Sequence, residues 1–192
     1  YKRQDNKPRV YASHWHTDDS YREKPATLTF IYPETLPKNG GGTDFINCYS
    51  VFQNLPKHLK GKISNLSAIH KWQSRRNVSK VAKLSKEQEE ENEEVEHPLI
   101  RTHPMSGEKS LYINPNRIDH IAGFKNPESD KLLDELYEFS FQSKFQYSHS
   151  YQEGDLVIWD NRCTMHKANS DYDLKQLRVM HRVMLEGEKV YS

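Results

Sequence analysis

The sequence predicts a mainly β domain with flanking helices, arranged as an antiparallel jelly-roll barrel, on three observations. Short runs of strand composition surround every candidate metal ligand; no β-α-β alternation is present; and no glycine-rich dinucleotide fingerprint appears. With 192 residues the chain fits one domain, 1–192, and can bury a real core.

Residues 1–13 are polar and basic without a clear period and read as a loop. Ala26 to Tyr32, bracketed by Pro25 and Pro33, is rich in Thr, Leu, Phe and Ile and predicts a strand. Leu36 to Gly42 is a Pro- and Gly-rich loop that ends in three glycines before Thr43; it is either a tight turn or a device that delivers the Thr43 hydroxyl into a site. Phe52, Leu55, Leu59, Ile63 and Leu66 recur at spacings of three and four, with Pro56 dividing them into two short core-facing helices. Ser67 to Trp72 alternates as a strand does.

The composition then changes. Arg75 to Lys86 is basic and Glu87 to Glu96 holds seven glutamates, so 75–96 reads as a charged insertion, either an exposed linker or a lid. Ser110 to Ile113 predicts a strand; Asn126-Pro127-Glu128 predicts a helix start with Asn126 as cap, and Leu132, Leu133, Leu136 and Tyr137 form its apolar face. Phe145, Tyr147, His149 and Tyr151 alternate with polar residues, and Leu156 to Trp159 makes an apolar strand with His166 expected just past its end.

The bulk properties exclude several classes. A net charge of +1 gives no argument for nucleic acid or an anionic membrane as partner. Cys48 and Cys163 lack C-x-x-C spacing, which points to reduced thiols and a cytoplasmic setting. No apolar run approaches the ~18 residues of a membrane span. Apolar content of 34% and a mean hydropathy of -0.97 are low for a compact domain.

The chemistry concentrates in His14-Trp15-His16-Thr17-Asp18 and in His166, 148 residues beyond Asp18. Alternation puts His14, His16 and Asp18 on one side of a short strand, so spacing alone leaves both histidines as ligand candidates. Two imidazoles and a carboxylate cap one face of an octahedral metal and leave the opposite face open, a donor set suited to non-haem Fe(II). Arg178 and Arg182, four apart in a strand-like run, can point one way and call for an anionic chelating co-substrate. His103, before Pro104, reads as a structural turn residue.

Five blocks in order carry a resemblance: His16-Thr17-Asp18-Asp19-Ser20-Tyr21; Gly40-Gly41-Gly42-Thr43; Arg101 to Tyr112; Gly154 to Arg162 with His166; and Arg178 with Arg182. On these the chain resembles the Fe(II)- and 2-oxoglutarate-dependent dioxygenases of the taurine dioxygenase and dichlorophenoxyacetate dioxygenase type. The resemblance implies a double-stranded β-helix, cupin-like in kind, with His16, Asp18 and His166 as catalytic metal ligands and His14 as a neighbour. It implies that Arg178 and Thr43 bind the far carboxylate of 2-oxoglutarate, and that Arg182 meets an anionic substrate group, the C1 carboxylate, or both.

The implied reaction consumes O2 and 2-oxoglutarate, hydroxylates an unactivated carbon of a small anionic organic substrate, and releases succinate and carbon dioxide. A sulfonate or an aryloxyacetate is the expected substrate class; Ala12 and Arg117 depart from the taurine enzyme's pattern and put taurine itself in doubt. Family members carry a segment ahead of the His-x-Asp motif, so a chain starting at Tyr1 is expected to be a fragment or trimmed. Homo-oligomerisation stays open, as do two rivals: a cupin-like domain that binds metal without turnover, and a jelly-roll metalloenzyme that uses no oxygen.

Overall fold

The computed structural model describes residues 10, 12–77 and 94–192. Eleven strands and three α-helices are present among them: β1 Leu28–Thr35, β2 Thr43–Asn47, α1 Cys48–Asn54, α2 Lys57–Ile63, β3 Ser67–His70, β4 Val95–Pro98, β5 Ile100–Thr102, β6 Lys109–Leu111, β7 Ile118–Ile121, α3 Asn126–Ser140, β8 Gln146–His149, β9 Val157–Asp160, β10 Thr164–Ala168 and β11 Val179–Met184. The mainly β expectation holds, with the few helices set beside the sheets.

All pairings are antiparallel. The sheets run β11-β1-β9, β10-β2-β8 and β4-β3-β7, with β5 and β6 as a separate pair. The wall β10-β2-β8 divides the interior. Because side chains alternate, Ile46 and its partner Met165 face the helices, while Phe45 and its partner His166 face the opposite way. The larger apolar core lies on the helix side, where Val51, Ile63, Leu99, Ile121, Leu133 and Leu136 are fully buried. On the other side the buried apolar cluster is Ile31, Phe45 and Trp159.

Several element boundaries differ from the sequence reading for local reasons. β1 runs through Pro33 to Thr35, with an irregularity between those two residues. β9 pairs only with Leu28–Ile31, so at Pro33 a single neighbour remains and the missing N–H is tolerated. α1 is capped by Asn47, whose side chain accepts from the Ser50 N–H at 3.0 Å, and it stops ahead of Pro56. Asn126 is not a cap: α3 begins at it, Lys125 holds the cap position, and no side chain closes that end. The four expected apolar residues of α3 are buried.

The strand expected at 67–72 begins at Ser67 but stops at His70, as β3, and that expected at 110–113 is shorter and one residue earlier, as β6. Phe145 lies in a 3-10 turn, Ser143–Phe145, and is buried, whereas Tyr147 is exposed, so the expected aromatic side of that strand is broken. His166 lies past the end of β9, as expected, but within a further strand, in the middle of β10.

Of the charged stretch 75–96, residues 78–93 lie outside the described part, and the choice between lid and linker falls there. Its near end is tied down: Arg75 pairs with Asp130, and Arg76 with Asp130 and Asp134, on the exposed side of α3. Its far end, Val95 and Glu96, is already strand β4. No helix among the described residues is long and apolar enough to cross a membrane.

Candidate metal centre

His16 and His166 are brought together by backbone. They form an antiparallel bridge in which each N–H donates to the other's carbonyl, at 3.0 and 2.8 Å. Directly opposed residues put their side chains on one face, and the ring centroids are 4.2 Å apart. Asp18 follows two residues later in a turn. Its Oδ1 lies 3.7 Å from His16 Nε2 and its Oδ2 3.7 Å from His166 Nε2. Those separations are too long for hydrogen bonds, so three electron-pair donors converge without consuming one another.

One donor atom from each of His16, Asp18 and His166 lies within 4.8 Å of the others, and this is the single group of its kind among the described residues. His14 is outside it: its side chain is exposed, and its carbonyl accepts from His16 Nδ1 at 2.8 Å. That contact fixes the ring so that Nε2 faces Asp18. His103 is outside it as well, with Nε2 on Asp160 at 3.0 Å and Nδ1 accepting the N–H groups of Met105 and Ser106.

The electrostatics suit a metal. Burial lowers the pKa of His16, and burial with the neighbouring His16 pushes His166 down to about 3, so both rings are neutral near pH 7. Burial alone would raise Asp18, but His166, His16, the Thr29 hydroxyl and Arg182 outweigh it and hold the carboxyl ionised. Neutral imidazoles and a carboxylate are the protonation states that metal binding requires.

Sequence reasoning missed the residues that aim the carboxylate. The Thr29 hydroxyl donates to Asp18 Oδ2 at 2.7 Å. Asn161 accepts from the Asp18 N–H at 3.3 Å and from Trp159 Nε1 at 3.1 Å, and its amide donates to Thr29 Oγ1 at 2.8 Å. Thr17 closes the ring of contacts by donating to the Asn161 carbonyl at 2.9 Å. The Trp-Asp-Asn-Arg block signalled this region, but only the tertiary contact gives Asn161 its task. His166 Nδ1 is buried without a partner, and its ring is held between Trp159 at 4.5 Å and Phe45 at 6.3 Å.

Thr43 pairs with Ala168, one alternation beyond the Phe45–His166 pair, so it lies on the same face roughly 7 Å along the strand. Its hydroxyl is 2.9 Å from the Tyr151 hydroxyl. Arg178 lies over the Tyr151 ring at 5.8 Å and donates from Nε to the Gly41 carbonyl at 2.8 Å. Gly41 has φ +71°, and a Cβ there would crowd the Arg178 side chain at 3.2 Å, so a side chain at this position would push the guanidinium away. Tyr151 is thus a third member of the Thr43–Arg178 cluster that the sequence reading did not assign.

Arg178 precedes β11 and Arg182 lies within it. The two guanidinium groups go to different places: Arg178 to the glycine loop, and Arg182, 39% exposed, to within 3.7 Å of Asp18 Oδ1. Burial lowers the pKa of Arg178.

A mainly β domain with a candidate two-histidine, one-carboxylate centre flanked by two arginines defines the class. The family model "Taurine catabolism dioxygenase TauD, TfdA family" matches residues 1–184, and the chain belongs to that family. It is 35% identical over 175 residues to the alpha-ketoglutarate-dependent 2,4-dichlorophenoxyacetate dioxygenase of Burkholderia sp. (strain RASC), covering 91% of this chain and 58% of that one. It is 32% identical over 184 residues to the alpha-ketoglutarate-dependent sulfate ester dioxygenase of Pseudomonas putida, covering 92% of this chain and 60% of that one. The solved structure of AAD-2 in complex with Mn(II) and N-oxalylglycine is 32% identical and matches with a TM-score of 0.85, over 94% of this chain and 71% of that one. The chain therefore spans about three fifths of the length of these curated relatives.

Proposed function

We propose that this chain is the catalytic domain of an Fe(II)- and 2-oxoglutarate-dependent dioxygenase that hydroxylates a small anionic organic substrate, a sulfonate or a carboxylate such as an aryloxyacetate. The reading rests on a double-stranded β-helix frame for the sheets, with 75–96 as an insertion in the same domain. The observation that carries it is the convergence of His16, Asp18 and His166 beside the Thr43–Tyr151–Arg178 cluster. Family membership and relatives named as alpha-ketoglutarate-dependent dioxygenases support it.

In this reading His16 Nε2, His166 Nε2 and a carboxylate oxygen of Asp18 hold Fe(II). Bound there, iron would supply the oxidising chemistry with 2-oxoglutarate and O2 as co-substrates, for which succinate and carbon dioxide are the expected co-products. Arg178 grips the far carboxylate of 2-oxoglutarate through paired charge-assisted hydrogen bonds, which lysine geometry would not match. Thr43 adds a hydroxyl donor to the same carboxylate, and Tyr151 holds both side chains in place. Arg182 offers positive charge to an acidic group near the metal. Thr29 helps to keep Asp18 ionised and aimed, and Asn161 holds its backbone N–H, so the site is preformed.

An anaerobic titration tests this. Adding 2-oxoglutarate to the Fe(II)-loaded protein should raise a metal-to-ligand charge-transfer band, and no band means no dioxygenase. Arg178→Ala should raise the 2-oxoglutarate needed for the band at least about tenfold, the loss of a charge-assisted pair, with Fe(II) affinity nearly intact. A band without substrate-stimulated succinate would instead favour a metal-binding domain that does not turn over.

A further inference from the structure

Four polar side chains that the metal centre does not use are packed together in the interior: His70 at the end of β3, His97 in β4, Arg101 in β5 and Tyr112 just after β6. Each is no more than 3% exposed. The Tyr112 ring lies 5.9 Å from that of His70, nearly parallel to it, and 5.8 Å from that of His97, which meets it edge-on. The two imidazoles are 5.1 Å apart, and the Arg101 guanidinium carbon sits 5.1 Å from the Tyr112 ring centroid.

Three polar atoms of this group are buried without a partner: His70 Nε2, Arg101 Nη1 and Tyr112 Oη. All three are donors. Burial pushes the Tyr112 hydroxyl up to about 12, so it keeps its proton. Ser20 Oγ accepts from the Asn114 amide at 2.8 Å and lies 3.0 Å from His70 Nδ1. Giving the serine proton to Nδ1 satisfies both groups and leaves the ring proton on Nε2.

Arg101 is charged at any pH the fold survives. Among the described residues no carboxylate stands within ion-pair distance of it, and the nearby Asp19 faces Arg22 at 3.6 Å. A buried cation without a counter-charge and three unused donors are each costly to keep. A water molecule there would meet donors but leave the charge uncompensated; a small anion meets both.

We propose that Arg101, Tyr112 and His70 hold a small monovalent anion of halide size, such as chloride, as a structural ligand of the fold. One guanidinium and two neutral donors balance a single negative charge, and a dianion would bring surplus charge into a dry place. His97 also lines a surface cavity of about 1000 Å3, which offers the ion a way in. The site braces the turn that carries Asp18: Ser20 joins His70 to Asn114, and the Asn114 amide donates to the Thr17 carbonyl at 2.8 Å. The inference concerns stability and stands apart from the dioxygenase reading, so a failed charge-transfer titration leaves it untouched.

The test melts the full chain, freed of halide, in sodium gluconate at fixed ionic strength, with chloride, bromide or sulfate replacing part of the gluconate. Chloride and bromide should raise Tm along a saturating curve, and sulfate should give only the gradual, unsaturating rise of an excluded salt. Tyr112→Phe keeps the ring and removes the hydroxyl, and the chloride midpoint should move up about tenfold or more, the loss of a hydrogen bond to a charged partner. Arg101→Met should abolish the saturating response; if that variant does not fold, Tyr112→Phe decides.

Crystals grown in bromide should show an anomalous peak against Arg101 Nη1 and Tyr112 Oη. A melt indifferent to halide, an unchanged chloride midpoint in Tyr112→Phe, or a water molecule where the bromide belongs overturns the proposal.

Discussion

On the helix side of the β10-β2-β8 wall the interior is mainly apolar: Ile46, Val51, Leu99, Leu133, Leu136 and Met165 are buried, and the buried serines of α3, Ser129 and Ser140, are each bonded to backbone. On the opposite side the buried residues are Thr17, Asp18, Thr29, Thr43, Asn161 and His166, and the apolar cluster shrinks to Ile31, Phe45 and Trp159. One strand serves both sides, since β2 sends Ile46 one way and Phe45 the other. The apolar side gains stability from area removed from water and has few hydrogen bonds to satisfy. The polar side must place every donor and acceptor correctly, and it gains geometry in return. The two tasks are separated by a single sheet.

The sharpest way to break this division is from the apolar side. Leu136→Ala should cost about 2–5 kcal/mol of unfolding free energy in urea, the usual range for a buried leucine truncation. Fe(II) affinity at a temperature where the variant stays folded should not move. If affinity falls in step with stability, the sheet does not insulate one side from the other.

The next effect lies on the polar side. Thr29→Val removes the hydroxyl that donates to Asp18 and accepts from Asn161, leaving two buried polar groups short of a partner. Stability should drop about 1–3 kcal/mol, and Fe(II) binding should weaken roughly 10–100-fold, as when a partner of a metal ligand is lost. Denaturant curves and metal titration on one variant compare the two losses.

The last comparison is in acid. His16 and His166 have folded-state pKa values below 6.5, so beneath that pH the unfolded chain binds more protons and folding weakens. For His166 the loss continues down to about pH 3, at about 1.4 kcal/mol per pH unit. Asp18, whose pKa is also lowered, contributes fully above 3.8 and loses that contribution as pH falls further. Melts of chelator-treated protein should be flat above about pH 7 and fall through the histidine range. A flat profile down to pH 5 would show that the two rings are not held neutral by burial.

Local patterns were readable in the sequence where a local rule governs them. The i, i+3, i+4 spacing of Phe52 to Leu66 and the break at Pro56 gave two helices, and strand composition between two prolines gave the core of β1. The pairing of His16 with His166 has no local rule; it was reached through the order of motifs, and spacing alone left His14 open. Thr29, Asn161 and Tyr151 stayed hidden because their partners are 11, 143 and 108 residues away, and their residue types are common on any surface. Pro33 misled because a proline ends a strand only where two neighbours need its N–H, and here one neighbour had already stopped. Arg117 stood in the sequence as an odd residue; its stacking on Trp72 comes from the β3–β7 pairing, which sets Lys71 against it.

The two-bond bridge between His16 and His166 makes their separation a property of main chain, much as a caliper's jaws are set by its beam. Loosening the lead-in before Trp15 would therefore spread the imidazoles even if both side chains stayed intact. The amide protons of residues 16 and 166 should exchange with solvent in concert, and a bound ion should slow both together.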